Sequence, residues 1–177
     1  KKNALSNIAK NINAPSDGFA VFNQLGFTRS ELVEIDNADN FENPVVTASD
    51  GTVSNAQKVG DKLLFYAENV PSKGYKTYTV AEGKPAESEI FVSEHRMSNR
   101  FFDIEIDKNG NISSIYDKRA ERNVLKGTGN VFQAFEDKPK DYDAWEISVY
   151  YQQKKWEVND FCGAEVIENG TERGVLR

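Results

Sequence analysis

Phe101-Phe102-Asp103-Ile104-Glu105-Ile106-Asp107-Lys108-Asn109-Gly110-Asn111-Ile112-Ser113-Ser114-Ile115-Tyr116, residues 101–116, decides the fold class. Phe102, Ile104 and Ile106 alternate with Asp103, Glu105 and Asp107. A period of two gives a strand with one apolar face, whereas a helix would need apolar residues three and four apart. Asn109-Gly110 is a strong hairpin signal, because Asn and Gly tolerate the positive φ that tight turns require. Ile112 to Tyr116 then reads as the returning strand.

The same pattern extends toward the N-terminus. Phe19–Asn23, Glu31–Ile35, Pro44–Thr47, Lys62–Ala67 and Tyr75–Val80 are strand-like. Asp50-Gly51 and Val70-Pro71-Ser72-Lys73-Gly74 are the turns between them. Short strands at this spacing predict a small antiparallel β-sandwich over residues 15–88. Ahead of it, Leu5, Ile8, Ala9 and Ile12 recur at helical spacing and predict a helix over Ala4–Asn13, stopped by Ala14-Pro15-Ser16-Asp17-Gly18. Residues 1–14 thus read as the end of a helical region.

Toward the C-terminus, the polar run 82–88 (EGKPAES) marks a boundary, with Ile90-Phe91-Val92 as a crossing strand. Beyond the hairpin, Val131–Phe135, Glu146–Tyr151 and Ala164–Ile167 are predicted strands, and Lys118–Arg122 is a solvated turn. Gly174-Val175-Leu176-Arg177 reads as an apolar strand without a partner, the mark of a domain cut short. The expected fold class is all-β: a short N-terminal helix, a small antiparallel sandwich, and residues 89–177 as a second, truncated β region.

Composition narrows the function. The 177 residues carry a formal charge of −6, and Lys and Arg never gather without acids beside them, so nucleic acid is not an expected partner. Eleven Phe, seven Tyr and two Trp recur throughout the chain and supply β cores, which argues against disorder. No apolar run approaches the length that spans a bilayer, so no membrane is expected. The single cysteine, Cys162, rules out an intrachain disulfide and fits a reducing cytoplasm; beside Phe161 it reads as a small buried hydrophobe. The lone histidine, His95, does not supply the converging ligands of a metal site, so no metal is expected in this segment. The sequons at Asn111 and Asn169 read as turn residues.

Asn99–Lys118 contains N-R-F-F-D-I-E-I-D-K-N-G-N-I-S-S-I-Y-D-K. It resembles the opening hairpin of the large C-terminal β-domain of glycoside hydrolase family 38 α-mannosidases. Gly129–Pro139 (GNVFQAFEDKP) and Asp141–Glu146 (DYDAWE) are similar to that family's F-x-D-x-P-x-x-W-D-A-W-D stretch in its bacterial and cytosolic branch. Tyr142 stands where the family often has Trp, and Glu146 where it often has Asp. Val21–Arg29 and Val70–Tyr75 resemble the entry and exit of the small sandwich that precedes that domain. The resemblance makes residues 89–177 the N-terminal part of the C-terminal β-sandwich. It implies a parent that hydrolyses terminal α-linked mannose with retention, and it allows homo-oligomerisation of that parent. It places the zinc ion and the carboxylate nucleophile in a catalytic α/β domain with no counterpart here. This segment alone is therefore expected to be inactive.

The acids Asp141, Asp143 and Glu146 with Trp145 are the candidate substrate-binding residues. Carboxylates accept hydrogen bonds from sugar hydroxyls while an aromatic ring covers the apolar sugar face. The same residues also read as a solvated loop in which Ala144 leaves room for Trp145 to plug a core. As a catalytic carboxylate pair they are disfavoured, since the resemblance puts the nucleophile elsewhere. Tyr150, Tyr151 and Trp156 read as sheet packing in preference to a sugar-stacking platform. The alternative to a mannosidase segment is a free-standing β-sandwich carbohydrate-binding module.

Overall fold

The computed structural model describes residues 2–12, 14–36, 41–84, 87–142 and 144–177, with side chains from Ser6 onward. The expected all-β architecture holds: one short helix, α1 (Lys2–Ala9), precedes antiparallel sheets. The helix is shorter than the predicted Ala4–Asn13, and Ile8 in it is exposed. An isolated helix of two turns has little to hold it beyond local bonds. By packing the chain divides into two units, Lys1–Ser88 with Gly170–Arg173, and Glu89–Asn169 with Gly174–Arg177.

The first unit holds β1 (Gly18–Asn23), β2 (Arg29–Asp36), β3 (Pro44–Ala48), β4 (Val53–Val59), β5 (Lys62–Val70) and β6 (Gly74–Glu82). They run in the order β1-β6-β3-β4-β5-β2, every pair antiparallel. β4 is the corner: Val53–Asn55 pair with β3, and Ala56–Val59 pair with β5. One strand thus serves both leaves, and the sheet folds over onto itself. Phe19 and Tyr78 on one leaf meet Phe65 on the other, with ring centroids 5.1–5.6 Å apart. Val46, Ala48, Ala56, Ala67 and Val70 complete this core, and Leu63 and Leu64 are fully buried nearby.

Polar groups inside this unit are matched to partners. The Asn23 carboxamide donates to the Phe27 and Val70 carbonyls and accepts from Leu25 N. Lys76, only 8% exposed, pairs with Asp50 at 2.7 Å and donates to the Glu68 carbonyl at 3.0 Å. The hydrogen bonds from Lys76, and then from Thr52, hold the Asp50 carboxyl well below the usual carboxylate range. Gln57, buried on β4, accepts from Glu172 N and Arg173 N with its Oε1, at 3.0 and 2.7 Å. The turn Gly170–Arg173 also carries the Arg173–Glu34 ion pair at 2.8 Å. Among the described residues Tyr78 and Thr171 are exceptions: their hydroxyls are buried and have no hydrogen-bond partner.

The second unit opens with β7 (Phe91–Ser93), β8 (Arg96–Ser98), β9 (Phe102–Ile106), β10 (Ile112–Asp117) and β11 (Arg122–Asn123), paired in the reverse of chain order. The hairpin over residues 101–116 is β9 and β10, in the register Ile104↔Ile115. Its turn is longer than a two-residue Asn-Gly loop: the Asp107 carboxylate accepts from Asn109 N and Asn111 N, and Gly110 has φ +76°. A side chain at Gly110 would also overlap the Phe161 ring. The conspicuous Asn99-Arg100-Phe101-Phe102 stretch has a local purpose. Asn99 Oδ1 accepts from both Phe101 N and Phe102 N at 2.8 Å, and the Arg100 and Arg119 guanidinium groups lie 4.6 and 4.7 Å from the Phe101 ring centre.

Two hairpins follow, β12 (Gln133–Phe135) with β13 (Lys155–Glu157), and β14 (Val166–Asn169) with β15 (Gly174–Leu176). Three expectations are corrected here. The terminal apolar strand is not partnerless, since β15 pairs with β14. Glu146–Tyr151 is not a strand: Val149–Gln153 is a 3₁₀ helix, begun by Tyr151 N donating to the Ser148 carbonyl at 2.9 Å. Its β-branched and aromatic residues mimic a strand, but Ile147, Val149 and Tyr150 are exposed and no described strand pairs with them. Cys162 is exposed rather than buried, in the loop after β13 where its thiol reaches only the Asp160 carbonyl at 3.7 Å.

Candidate functional site

The candidate residues fall in the long connection between β12 and β13. β12 is followed by Glu136-Asp137-Lys138-Pro139, and the chain then makes a tight turn closed on Tyr142. The Tyr142 carbonyl accepts from Trp145 N at 3.0 Å and from Glu146 N at 2.9 Å. Tyr142 itself has φ +55°, a left-handed conformation that a bulky side chain adopts only at some cost. This turn carries both rings outward. Tyr142 is 71% exposed and Trp145 82%, stacked with centroids 6.5 Å apart and planes at 28°.

The core-plug role expected for Trp145 is therefore wrong: the turn leaves the indole in solvent. Asp141 and Glu146 are exposed on the same turn as the two rings. Asp143 lies outside the described residues. A flat stacked aromatic pair flanked by carboxylates is suited to a sugar, whose apolar face and hydroxyl edge need those two kinds of contact.

Sequence reasoning did not find a second feature nearby. Glu136 leaves the end of β12 beside β13, and its N–H donates to the Lys154 carbonyl at 3.1 Å. Its carboxylate pairs with Lys154 Nζ at 2.8 Å and Lys138 Nζ at 3.1 Å. Lys154, and then Lys138, hold the Glu136 carboxyl below its usual range. Tyr150, Tyr151 and Gln153 join these three groups around a cleft of about 350 Å³. Tyr151 is fixed edge-on against Phe135, with centroids 5.1 Å apart, and Lys154 Nζ lies 5.3 Å from the centre of the Trp156 ring. The sheet packing expected of Tyr150, Tyr151 and Trp156 is not found. Only Trp156 is on a strand, and both it and Tyr150 are exposed. The available signal was the Glu136/Lys154 charge pair, which is invisible until Lys155–Glu157 is known to pair with β12.

A cavity of about 290 Å³ in the first unit lies beside Val21, Asn23 and Val70. The carboxamide of Asn23 is wholly engaged with its own backbone neighbours there. Among the described residues, no three His, Cys, Asp or Glu side chains come together to hold a metal. The donor set of a zinc site is therefore not formed by them. None of the described helices is long and apolar enough to cross a membrane.

Residues 97–177 match the sequence model of the glycosyl hydrolases family 38 C-terminal domain. The match covers a little under half of the chain. Among solved structures, the chain is similar to the crystal structure of an alpha-mannosidase from Enterococcus faecalis V583. The identity is 13% and the TM-score 0.47, over 78% of this chain and 24% of that one. The chain thus spans about a quarter of the length of that protein. No curated protein matched. The matched segment contains both the aromatic turn and the Glu136 cleft.

Proposed function

We propose that this chain is a non-catalytic β segment of a retaining, zinc-dependent α-mannosidase of the bacterial and cytosolic branch of family 38. The family match over residues 97–177 carries the proposal. The parent would hydrolyse terminal α-linked mannose of oligosaccharides in the cytoplasm. A catalytic domain outside this chain would hold the zinc. The present residues would frame the cleft and place Asp141, Asp143, Trp145 and Glu146 against the sugar. The exposure of the Tyr142–Trp145 stack supports this role, since two large rings left in water have a surface available to cover a pyranose.

The test is kinetic. A charge-assisted hydrogen bond to substrate contributes roughly 1.5–3 kcal/mol, so Asp143→Asn in the intact enzyme should lower kcat/KM about 10- to 100-fold while unfolding is unchanged. The 177-residue chain alone should not turn over an aryl α-mannoside above a contaminant control. Unchanged kinetics together with lowered stability in Asp143→Asn would make the residue structural. Turnover by the chain alone would refute its non-catalytic assignment.

A further inference from the structure

We infer that the cleft formed by Glu136, Lys138, Tyr150, Tyr151, Gln153 and Lys154 is a second carbohydrate subsite, one that holds a single pyranose by two adjacent hydroxyls. Its size is the first argument. About 350 Å³ lies at the small end of ligand clefts, which run roughly 300–1,000 Å³, and suits one ring in preference to a long chain.

Its chemistry is the second. Glu136 presents a carboxylate between two ammonium groups, at 2.8 and 3.1 Å. A hydroxyl can donate to the carboxylate and accept from a lysine at once, and the neighbouring hydroxyl can do the same with the other lysine. A vicinal diol therefore matches the carboxylate and its lysines with donors and acceptors in the right number. A small anion matches it less well, because it would compete with Glu136 for the same lysines. Gln153 adds one more donor and acceptor. Tyr150 and Tyr151 supply ring faces, and the edge-on contact of Tyr151 with Phe135 holds one of them in place before any ligand arrives. The ion pairs and that contact preorganise the cleft, which lowers the entropy cost of binding.

The inference stands on the cleft and does not need the mannosidase reading, so the two fail separately. The test is a ¹H–¹⁵N NMR titration of the unmodified 177-residue chain with methyl α-mannopyranoside, methyl α-glucopyranoside and inorganic phosphate. For about a dozen ligand heavy atoms at ordinary efficiency, the dissociation constant should be on the order of millimolar. Saturable shifts confined to Glu136, Lys138 and residues 150–154 are expected with at least one glycoside. Glu136→Gln should weaken binding tenfold or more while leaving the rest of the spectrum in place. Tyr150→Ala should weaken it too, without touching either ion pair. The inference is overturned if no glycoside shifts these resonances at ~50 mM. It is equally overturned if phosphate moves them and the glycosides do not, or if Glu136→Gln binds as tightly as the parent.

Discussion

Replacing Tyr78 by Phe should stabilise the first unit. The Tyr78 ring is 3% exposed and packs on Phe19 and Phe65, with centroids 5.6 and 5.1 Å away, and those contacts survive the substitution. Only the hydroxyl is lost, and it is buried without a protein partner. A buried polar group left unsatisfied costs roughly 1–3 kcal/mol, so its removal should recover about 1 kcal/mol after the loss of its van der Waals contacts. In a unit of this size that corresponds to an unfolding midpoint about 4–8 °C higher. Both tryptophans, Trp145 and Trp156, belong to the other unit, so indole fluorescence would miss the change. Methyl NMR signals of Val46 and Leu63 during thermal unfolding report the right core. Alkali provides a second check. Burial pushes the Tyr78 pKa up to about 12, with Asp50 and Glu68 adding to the effect. Folding therefore favours the protonated form. That contribution is fully present below the unfolded value near 10 and is lost as pH rises through about 12. The advantage of Tyr78→Phe should widen over that window. A lower midpoint for the variant would refute the reasoning and show that the hydroxyl is satisfied in solution.

Gly170→Ala should destabilise the first unit by roughly 1–3 kcal/mol in denaturant titration, because the new Cβ overlaps the Gln57 carboxamide and displaces its two backbone hydrogen bonds. Acid should weaken the same unit. Lys76 depresses the Asp50 carboxyl, and the Asn43 and Glu42 N–H groups depress Glu82, so both contributions are full above about pH 4.5 and are lost as pH falls. Asp50→Asn should flatten the stability profile below pH 4 while lowering the midpoint at pH 7, where Lys76 loses its charged partner. Trp145→Ala should change stability by no more than about 0.5 kcal/mol in the same titration, as expected for an exposed side chain.

How much the sequence disclosed follows from how locally each element is specified. The pairing of β9 with β10, and the strands β1, β3, β5 and β6, carry apolar residues bounded by turn residues, and they were legible. β4 was not. Its residues Val53–Val59 are mostly polar, and because it changes leaves at Ala56 its buried positions fall side by side rather than alternately. The candidate loop was legible as a loop, but the facing of Trp145 was not. That orientation depends on the left-handed Tyr142 and on a carbonyl shared by two N–H groups, neither of which shows in residue type. The Glu136 cleft is assembled from segments on both sides of that loop, so only the pairing of β12 with β13 brings it together.

The bonds from Glu172 N and Arg173 N to Gln57 join residues 115 and 116 positions apart. On a ribosome adding ~5–20 residues per second, β4 emerges roughly 6–23 s before its last partners. The six-stranded sheet therefore has time to form without the closing turn, which arrives as a late latch. A chain stalled before Gly170 would present the six strands without the Glu172 and Arg173 N–H groups that bond to Gln57.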